Sequence, residues 1–212
     1  MVELLETYDL KGNLLGKVER KKFYKEIEKE FERTNKITRQ VKSVRTILLN
    51  SKGRIYAQKR SKFKEGNRGL YDKTIGGHVR EDNSFELTLI RECAEELGFP
   101  ASIVSEKEFE IAIKSTDLSI IAIFKKIDYI NGFKSTRTTK RGKIIVQPWM
   151  TTIYLGYFDG AIRFVDGESS GIEVFSLEEL KEEIKQHPKK FTEDLKFMVK
   201  KYEKYLKPIK RI

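Results

Sequence analysis

The chain of 212 residues is 39% hydrophobic and 11% aromatic with only 4 Pro, enough core material for one buried domain and too much for a disordered or fibrous chain. The longest apolar runs, such as 118–124, fall far short of the roughly 20 residues that span a bilayer, and no secretory signal is visible. One cysteine, Cys93, allows no internal disulfide and 2 His are too few for a zinc cluster, so a reducing cytoplasm is the expected compartment. More than half of the net charge of +11 lies in residues 181–212, where a basic helix is first of all a solvated face and only secondarily a nucleic-acid or lipid contact.

In chain order, "VELLETYD" (2–9) reads as a strand and "KGN" as a turn. "KVERKKFYKEIEKEFERTN" then reads as a helix with Phe23, Ile27 and Phe31 at fourfold spacing. These elements form a leader, residues 1–40, expected to pack on a core domain of residues 41–212. "VKSVRTILLN" and "RIYAQKR" flank "SKG" as a β-hairpin, whose second strand ends in Lys59, Arg60, Lys62 and Lys64. A loop with Gly66 and Gly69 leads to "YDKTIGG". Beyond residue 100, strands are expected in "EFEIAIKS", "LSIIAIFKKI", "KIIVQPWMTTIYLGYF" and "IEVFS". Ser176 is placed to cap "SLEELKEEIK" with Glu179 completing a capping box, and "FTEDLKFMVKKYEKYL" carries an apolar stripe. The order predicts an α/β (α+β) architecture, a mixed β-sheet between helices. Residues 132–143 hold five basic residues and no acidic one. They read as a long exposed hairpin or loop able to meet phosphates or RNA, although Phe133 alone does not make a stacking platform.

The stretch "GGHVREDNSFELTLIRECAEELGF" (76–99) carries the chemistry. A helix is expected from Asn83 as N-cap, with Glu86 reaching back. At about 100° per residue, Leu87, Ile90, Ala94 and Leu97 fall on one side and Glu92, Glu95 and Glu96, with Thr88, on the other. Like charges three and four residues apart cost a few tenths of a kcal/mol per pair unless something neutralises them. Arg91 stands beside Glu92 to orient a carboxylate, and Gly98 suits a left-handed cap. Clustered carboxylates near a glycine pair that can present a carbonyl suit Mg²⁺ or Mn²⁺, ions that bind through few carboxylates together with substrate phosphates. Such an ion polarises phosphoryl oxygens and acidifies a bound water.

The stretch resembles the Nudix box, G-x5-E-x7-R-E-U-x-E-E-x-G-U with U a bulky apolar residue. Gly77, Arg91, Glu92, Glu95, Glu96, Gly98 and Phe99 fall on the motif, and Cys93 takes an apolar slot. The first motif glutamate is Asn83 here, and the glycine common before it is Asp82. The resemblance implies a Nudix-type α/β/α sandwich and a pyrophosphohydrolase dependent on Mg²⁺ or Mn²⁺, acting on a nucleoside di- or triphosphate or another X-linked diphosphate. It implies Glu92, Glu95 and Glu96 as metal ligands together with the Gly76 carbonyl, and Glu92 near the attacking water.

Outside the box, "YDLKGNLLGKV", "QKRS", "YLGYFDG" and "PKKFTEDLKFMVKKY" are similar to the branch related to isopentenyl-diphosphate isomerase. That isomerase needs a cysteine where this chain has Gly76 and a glutamate on a later strand, and no Glu occurs from 111 through 167. Hydrolysis is therefore the expected reaction, with isomerisation and a degenerate nucleotide- or RNA-binding module as alternatives. His78 aligns with an isomerase metal-binding histidine. Together with Arg60, Lys62 and Lys64 it is a candidate phosphate contact, and Glu168 is a candidate general base or extra ligand.

Overall fold

The run RQVKSVRTILL forms β3 (Arg39–Leu49), an eleven-residue strand whose last seven side chains from Ser43 are all buried. In a computed structural model that describes residues 2–64, 66–139, 142–164 and 169–210, this strand organises the molecule. On one edge it pairs in parallel with β9 (Ile144–Tyr157) over Val41↔Trp149 to Leu49↔Tyr157. On the other it pairs antiparallel in turn with β1 (Leu4–Asp9), β6 (Ile75–His78) and, at Leu49↔Ile55, β4 (Ile55–Arg60). The order β10-β4-β3-β9-β8-β7 completes a mixed sheet, with β7 at Ala101–Ile103, β8 at Ala122–Thr138 and β10 at Ser169–Phe175. Two short strands, β2 (Leu14–Glu19) and β5 (Tyr71–Asp72), hang on β1 and β4.

Side chains alternate across a strand, so β3 serves both faces. Val44 and Leu48 enter a core with Leu89, Cys93 and Leu97 of α2 (Phe85–Leu97). Ile47 and Leu49 face α3 (Glu106–Ser115), α4 (Leu177–Gln186) and α5 (Glu193–Tyr202). Val41 packs with Leu5, Phe133, Trp149 and the Phe23 and Ile27 stripe of α1 (Arg20–Thr34). Five helices thus cover a mixed sheet, the α+β sandwich that the element order implies. No helix is long and apolar enough to cross a membrane among the described residues.

Four local expectations are corrected. "EFEIAIKS" is helix α3 and not a strand. Ser105 and Glu108 close a capping box at its start, Phe109 and Ile113 are buried four residues apart, and Ile111 is left 71% exposed. "LLGKVE" pairs with β1 as β2 before α1 begins, which shortens the expected leader helix. Helix α2 is capped by Ser84, whose hydroxyl accepts from the Leu87 amide, and not by Asn83. Its buried side is Leu89, Cys93 and Leu97, while Leu87 and Ile90 are exposed. The basic run 132–143 lies in the β8–β9 hairpin, as its hairpin reading expects, paired as far as Thr138↔Ile144, although Phe133 and Ser135 within it are buried.

Candidate active site

Among the described residues strand β6 pairs only with β3, and Gly76, Gly77 and His78 line a cleft of about 1180 Å³. The cleft reaches both faces of the sheet: Glu92, Glu95 and Glu96 approach from α2, and Arg45, Lys73, Trp149 and Asp194 from the opposite side. The two glycines form the waist. A Cβ on Gly77 would lie 2.2 Å from Glu92 Oε1, and one on Gly76 would lie 2.4 Å from Lys73 Cε. A side chain at Gly77 would thus displace the Glu92 carboxylate. At the turn into α2, Asp82 adopts φ 58, a left-handed conformation that favours glycine and that Asp tolerates better than most residues.

The three glutamates differ in environment. Glu96 is 5% exposed, with Gln58 Nε2 at 3.5 Å. Glu92 is in hydrogen-bond contact with Glu96, so two acidic groups share one partly dehydrated spot. Burial pushes the Glu92 carboxyl above its ordinary range; the Glu96 contact opposes this, the Glu95 charge adds to it, and Arg80 and Lys64 pull it back down. Glu95 is more exposed and turns to arginines, at 2.9 Å from Arg91 and 3.8 Å from Arg80. Arg91 therefore orients Glu95 and not Glu92.

No set of three His, Cys, Asp or Glu side chains among the described residues is arranged to hold a metal ion. The donor chemistry of Glu92 and Glu96 nonetheless fits a hard divalent cation. Two touching carboxyl groups are all-oxygen donors, and their mutual repulsion when ionised is what a dication would remove.

Facing them is a buried network of opposite charges. Asp72 receives Arg60 Nη1 at 3.1 Å, Lys73 Nζ at 3.2 Å and the Thr192 hydroxyl at 2.7 Å. Burial raises the Asp72 carboxyl, but Lys73, Arg60 and Thr192 outweigh it and hold the group well below the usual carboxylate range. Asp194 receives Arg45 Nε at 2.9 Å and the Ser135 hydroxyl at 2.7 Å, with Lys73 Nζ 3.5 Å away. Both Thr192 and Asp194 belong to the start of α5, so the C-terminal helix fixes the cations at the floor of the cleft.

Of the phosphate candidates, Arg60, Lys64 and His78 line the cleft, whereas Lys62 is exposed and outside its lining. His78 Nε2 is 2.5 Å from the Tyr24 hydroxyl, and its ring lies 5.2 Å from that of Trp149. Burial and then the charges of Arg20, Arg45, Arg137 and Lys64 depress its pKa well below the ordinary imidazole value, which keeps it neutral. Glu168 lies outside the described residues. Sequence reasoning passed over Tyr24, Arg45, Asp72, Lys73, Arg137, Trp149 and Asp194. Only the basic run containing Arg137 and the uniqueness of Trp149 gave any signal for them.

The NUDIX domain family model matches residues 39–195. The chain belongs to the Nudix family. The match leaves β1, β2 and α1 outside it. Among solved structures, DR0079 from Deinococcus radiodurans superposes with a TM-score of 0.64 at 20% identity, covering 93% of this chain and 98% of that one. The MutT protein from Methanosarcina mazei Go1 gives 0.51 at 16% identity, over 77% and 93%. The NUDIX domain of Shewanella oneidensis NrtR, complexed with ADP ribose, gives 0.50 at 16% identity, over 84% and 98%. These likenesses show the shared fold. No curated protein matches the chain.

Proposed function

We propose that this Nudix protein is a divalent-metal-dependent pyrophosphohydrolase that cleaves the phosphoanhydride bond of a nucleoside di- or triphosphate or another X-linked diphosphate. The observation that carries the proposal is the packing of Glu92 onto Gly77 and against Glu96, in one cleft with Arg60, Lys64 and Lys73. Glu92 and Glu96 would hold Mg²⁺ or Mn²⁺, with the Gly76 carbonyl as a further donor and Glu95 joining on release from its arginines. When bound, the ion supplies charge neutralisation at the phosphoryl oxygens and an acidified water. Around it, Arg60, Lys64 and Lys73 counter the charge of the diphosphate, and Gly76 and Gly77 allow it close to the backbone. Glu92 would take a proton from the attacking water, and Arg91 would position Glu95. Glu168 remains a candidate base. The ADP ribose bound by the NrtR domain is one member of the proposed substrate class.

Isomerisation of an isopentenyl-type diphosphate is disfavoured by the same geometry. The only thiol, Cys93, is wholly buried in the core under α2, and Gly76 offers no proton-transfer group at the waist. The leader and the Nudix domain are taken to act as one unit, on a small-molecule substrate, in a reducing cytoplasm.

The test is release of phosphate or a nucleoside monophosphate from a panel of nucleoside diphosphates, nucleoside triphosphates and nucleotide sugars, with Mg²⁺ and with Mn²⁺. Turnover that Glu96→Gln abolishes is expected. A wild-type protein silent across the panel, or turnover that survives Glu96→Gln, overturns the proposal.

A further inference from the structure

Strand β8 runs far past its neighbour β7, which pairs with it over Ala122–Phe124. Beyond Phe124, no other strand among the described residues pairs with that edge. An open edge presents the N–H and C=O groups of alternate residues, which need partners. Near the tip of the β8–β9 hairpin one side chain supplies them. Asn67 Nδ2 donates to the Thr136 carbonyl at 3.2 Å, and the Thr138 amide donates to Asn67 Oδ1 at 3.3 Å. The Asn67 amide thus stands where a peptide group of a further strand would stand. Two local features allow the approach. A Cβ on Gly66 would lie 3.1 Å from the Thr138 carbonyl oxygen, and Asn67 adopts φ 53, a left-handed conformation that Asn takes more readily than most residues.

What this amide holds is the loop between β4 and β5, whose described residues form neither helix nor strand. The base of the loop is closed by Arg60 N to the Leu70 carbonyl at 2.9 Å and Gly69 N to the Arg60 carbonyl at 3.1 Å. Inside it, the Lys64 amide donates to the Ser61 carbonyl at 3.2 Å, Arg68 Nε donates to the Lys64 carbonyl at 2.7 Å, and Arg60 Nε donates to the Gly66 carbonyl at 3.0 Å. All of these bonds join the loop to itself or to its stems. They set its shape and leave its tilt over the cleft to contacts made outside it. Asn67 makes such a contact, to a hairpin that Arg137 in turn ties to Glu28 of α1 at 2.6 Å. Lys64 lines the cleft, and its charge reaches both Glu92 and His78.

We propose that Asn67 is a positioning residue: its amide latches this loop to the open edge of β8 and so holds the Lys64 ammonium over the cleft, where it meets the diphosphate of a substrate. The proposal rests on the hydrolase reading for the contact between Lys64 and the diphosphate. It makes Thr136 and Thr138 of the hairpin the fixed wall against which a loop without regular structure is set.

Asn67→Gly removes the amide and keeps the backbone conformation, because glycine takes a positive φ freely. Two readouts on the full-length protein test the latch, and neither needs turnover. In hydrogen exchange without ligand, the Thr138 amide should be protected in the wild type and exchange about tenfold or more faster in Asn67→Gly, while the amides of β3 keep their protection. In calorimetric titration with Mg²⁺ and methylenediphosphonate, a diphosphate analogue with no cleavable anhydride, Asn67→Gly should raise Kd about three- to tenfold. The same substitution made in Lys64→Ala should change Kd by less than about twofold, since the charge it places is gone. A Kd that Asn67→Gly leaves unchanged overturns the proposal. A rise as large with Lys64→Ala as without it also overturns it and leaves Asn67 a cover for the strand edge. Should Asn67→Gly fail to fold, the wild type decides: a Thr138 amide that exchanges as fast as one in an exposed loop has no latch. A wild type that binds the diphosphonate but cleaves no diphosphate sinks the hydrolase reading alone, and one that does not bind it sinks both.

Discussion

The two ends of the cleft handle buried charge in opposite ways. At the α2 end, Glu92 and Glu96 touch, and the nearest arginines, Arg80 and Arg91, are committed to Glu95. At the α1 and α5 end, each buried acid has its cation: Asp72 has Arg60 and Lys73, and Asp194 has Arg45. Matched pairs are held in place by removing either partner's freedom, at the cost of their dehydration. Two carboxyl groups held in contact repel when both are ionised, a penalty that a dication relieves. One end is thus built to keep its geometry, and the other to change on binding.

The sharpest way to break this comparison is Glu96→Gln. Turnover should fall about 100- to 1000-fold, roughly the scale of losing one key charge-stabilising group, while the stability of the metal-free protein changes little, because Gln keeps the size and shape of the side chain. Steady-state kinetics and a urea melt read the two effects separately. A variant that loses stability as well would mean that Glu96 holds the fold, and the contrast between the two ends would collapse.

The matched end predicts the reverse. Asp72→Asn should cost about 3 kcal/mol or more near neutrality, because Arg60 and Lys73 lose the buried charge they face. The Asp72 carboxyl is held below its unfolded value of 3.8, so the folded state binds its proton less readily. Its contribution is therefore complete above the unfolded value and fades as pH falls through the depressed folded one. The gap between wild type and Asp72→Asn in urea melts should narrow steadily below that value. A gap independent of pH would show that the carboxylate charge is not what the site uses.

How far these two ends were legible in the sequence follows from how local each one is. Glu92, Glu95 and Glu96 sit within one helical turn and Gly77 only fifteen residues earlier, so spacing alone assembles the acidic end. The apolar side of α2 was not legible, because Leu87, Leu89, Ile90, Cys93, Ala94 and Leu97 nearly encircle the helix and only the sheet decides which of them it covers. In α3, Phe109, Ile111 and Ile113 alternate as a strand would, and the Ser105–Glu108 capping box is the local feature that argues for a helix. The matched end joins Tyr24, Arg45, Asp72, Arg137, Trp149 and Asp194 from six separate elements, through the parallel β3–β9 pairing and the docking of α5. Nothing local in the sequence encodes that convergence.

A smaller effect sharpens the waist between the two ends. Gly77→Ala places a methyl group 2.2 Å from Glu92 Oε1, and the carboxylate must move. The strain should cost about 1–3 kcal/mol. Mn²⁺ affinity, followed by paramagnetic resonance, should drop alongside activity, whereas the circular dichroism spectrum should stay unchanged. A changed spectrum would mean that the substitution disturbs β6 as a whole.

The smallest expected effect separates charge inside the cleft from charge beside it. Lys62 and Lys64 lie two residues apart on one loop, yet Lys64 lines the cleft and acts on Glu92, while Lys62 is exposed and outside its lining. Both lysines contribute equally to net charge, so any long-range attraction of an anionic substrate is common to them and is screened within about 8 Å at physiological salt. A direct phosphate contact belongs to Lys64 alone. Lys64→Ala should therefore raise KM several-fold and keep that effect at high salt, whereas the change for Lys62→Ala stays within about twofold and disappears as salt is added. Equal, salt-sensitive effects at both positions would assign the role of this loop to steering and leave the diphosphate to Arg60 and Lys73.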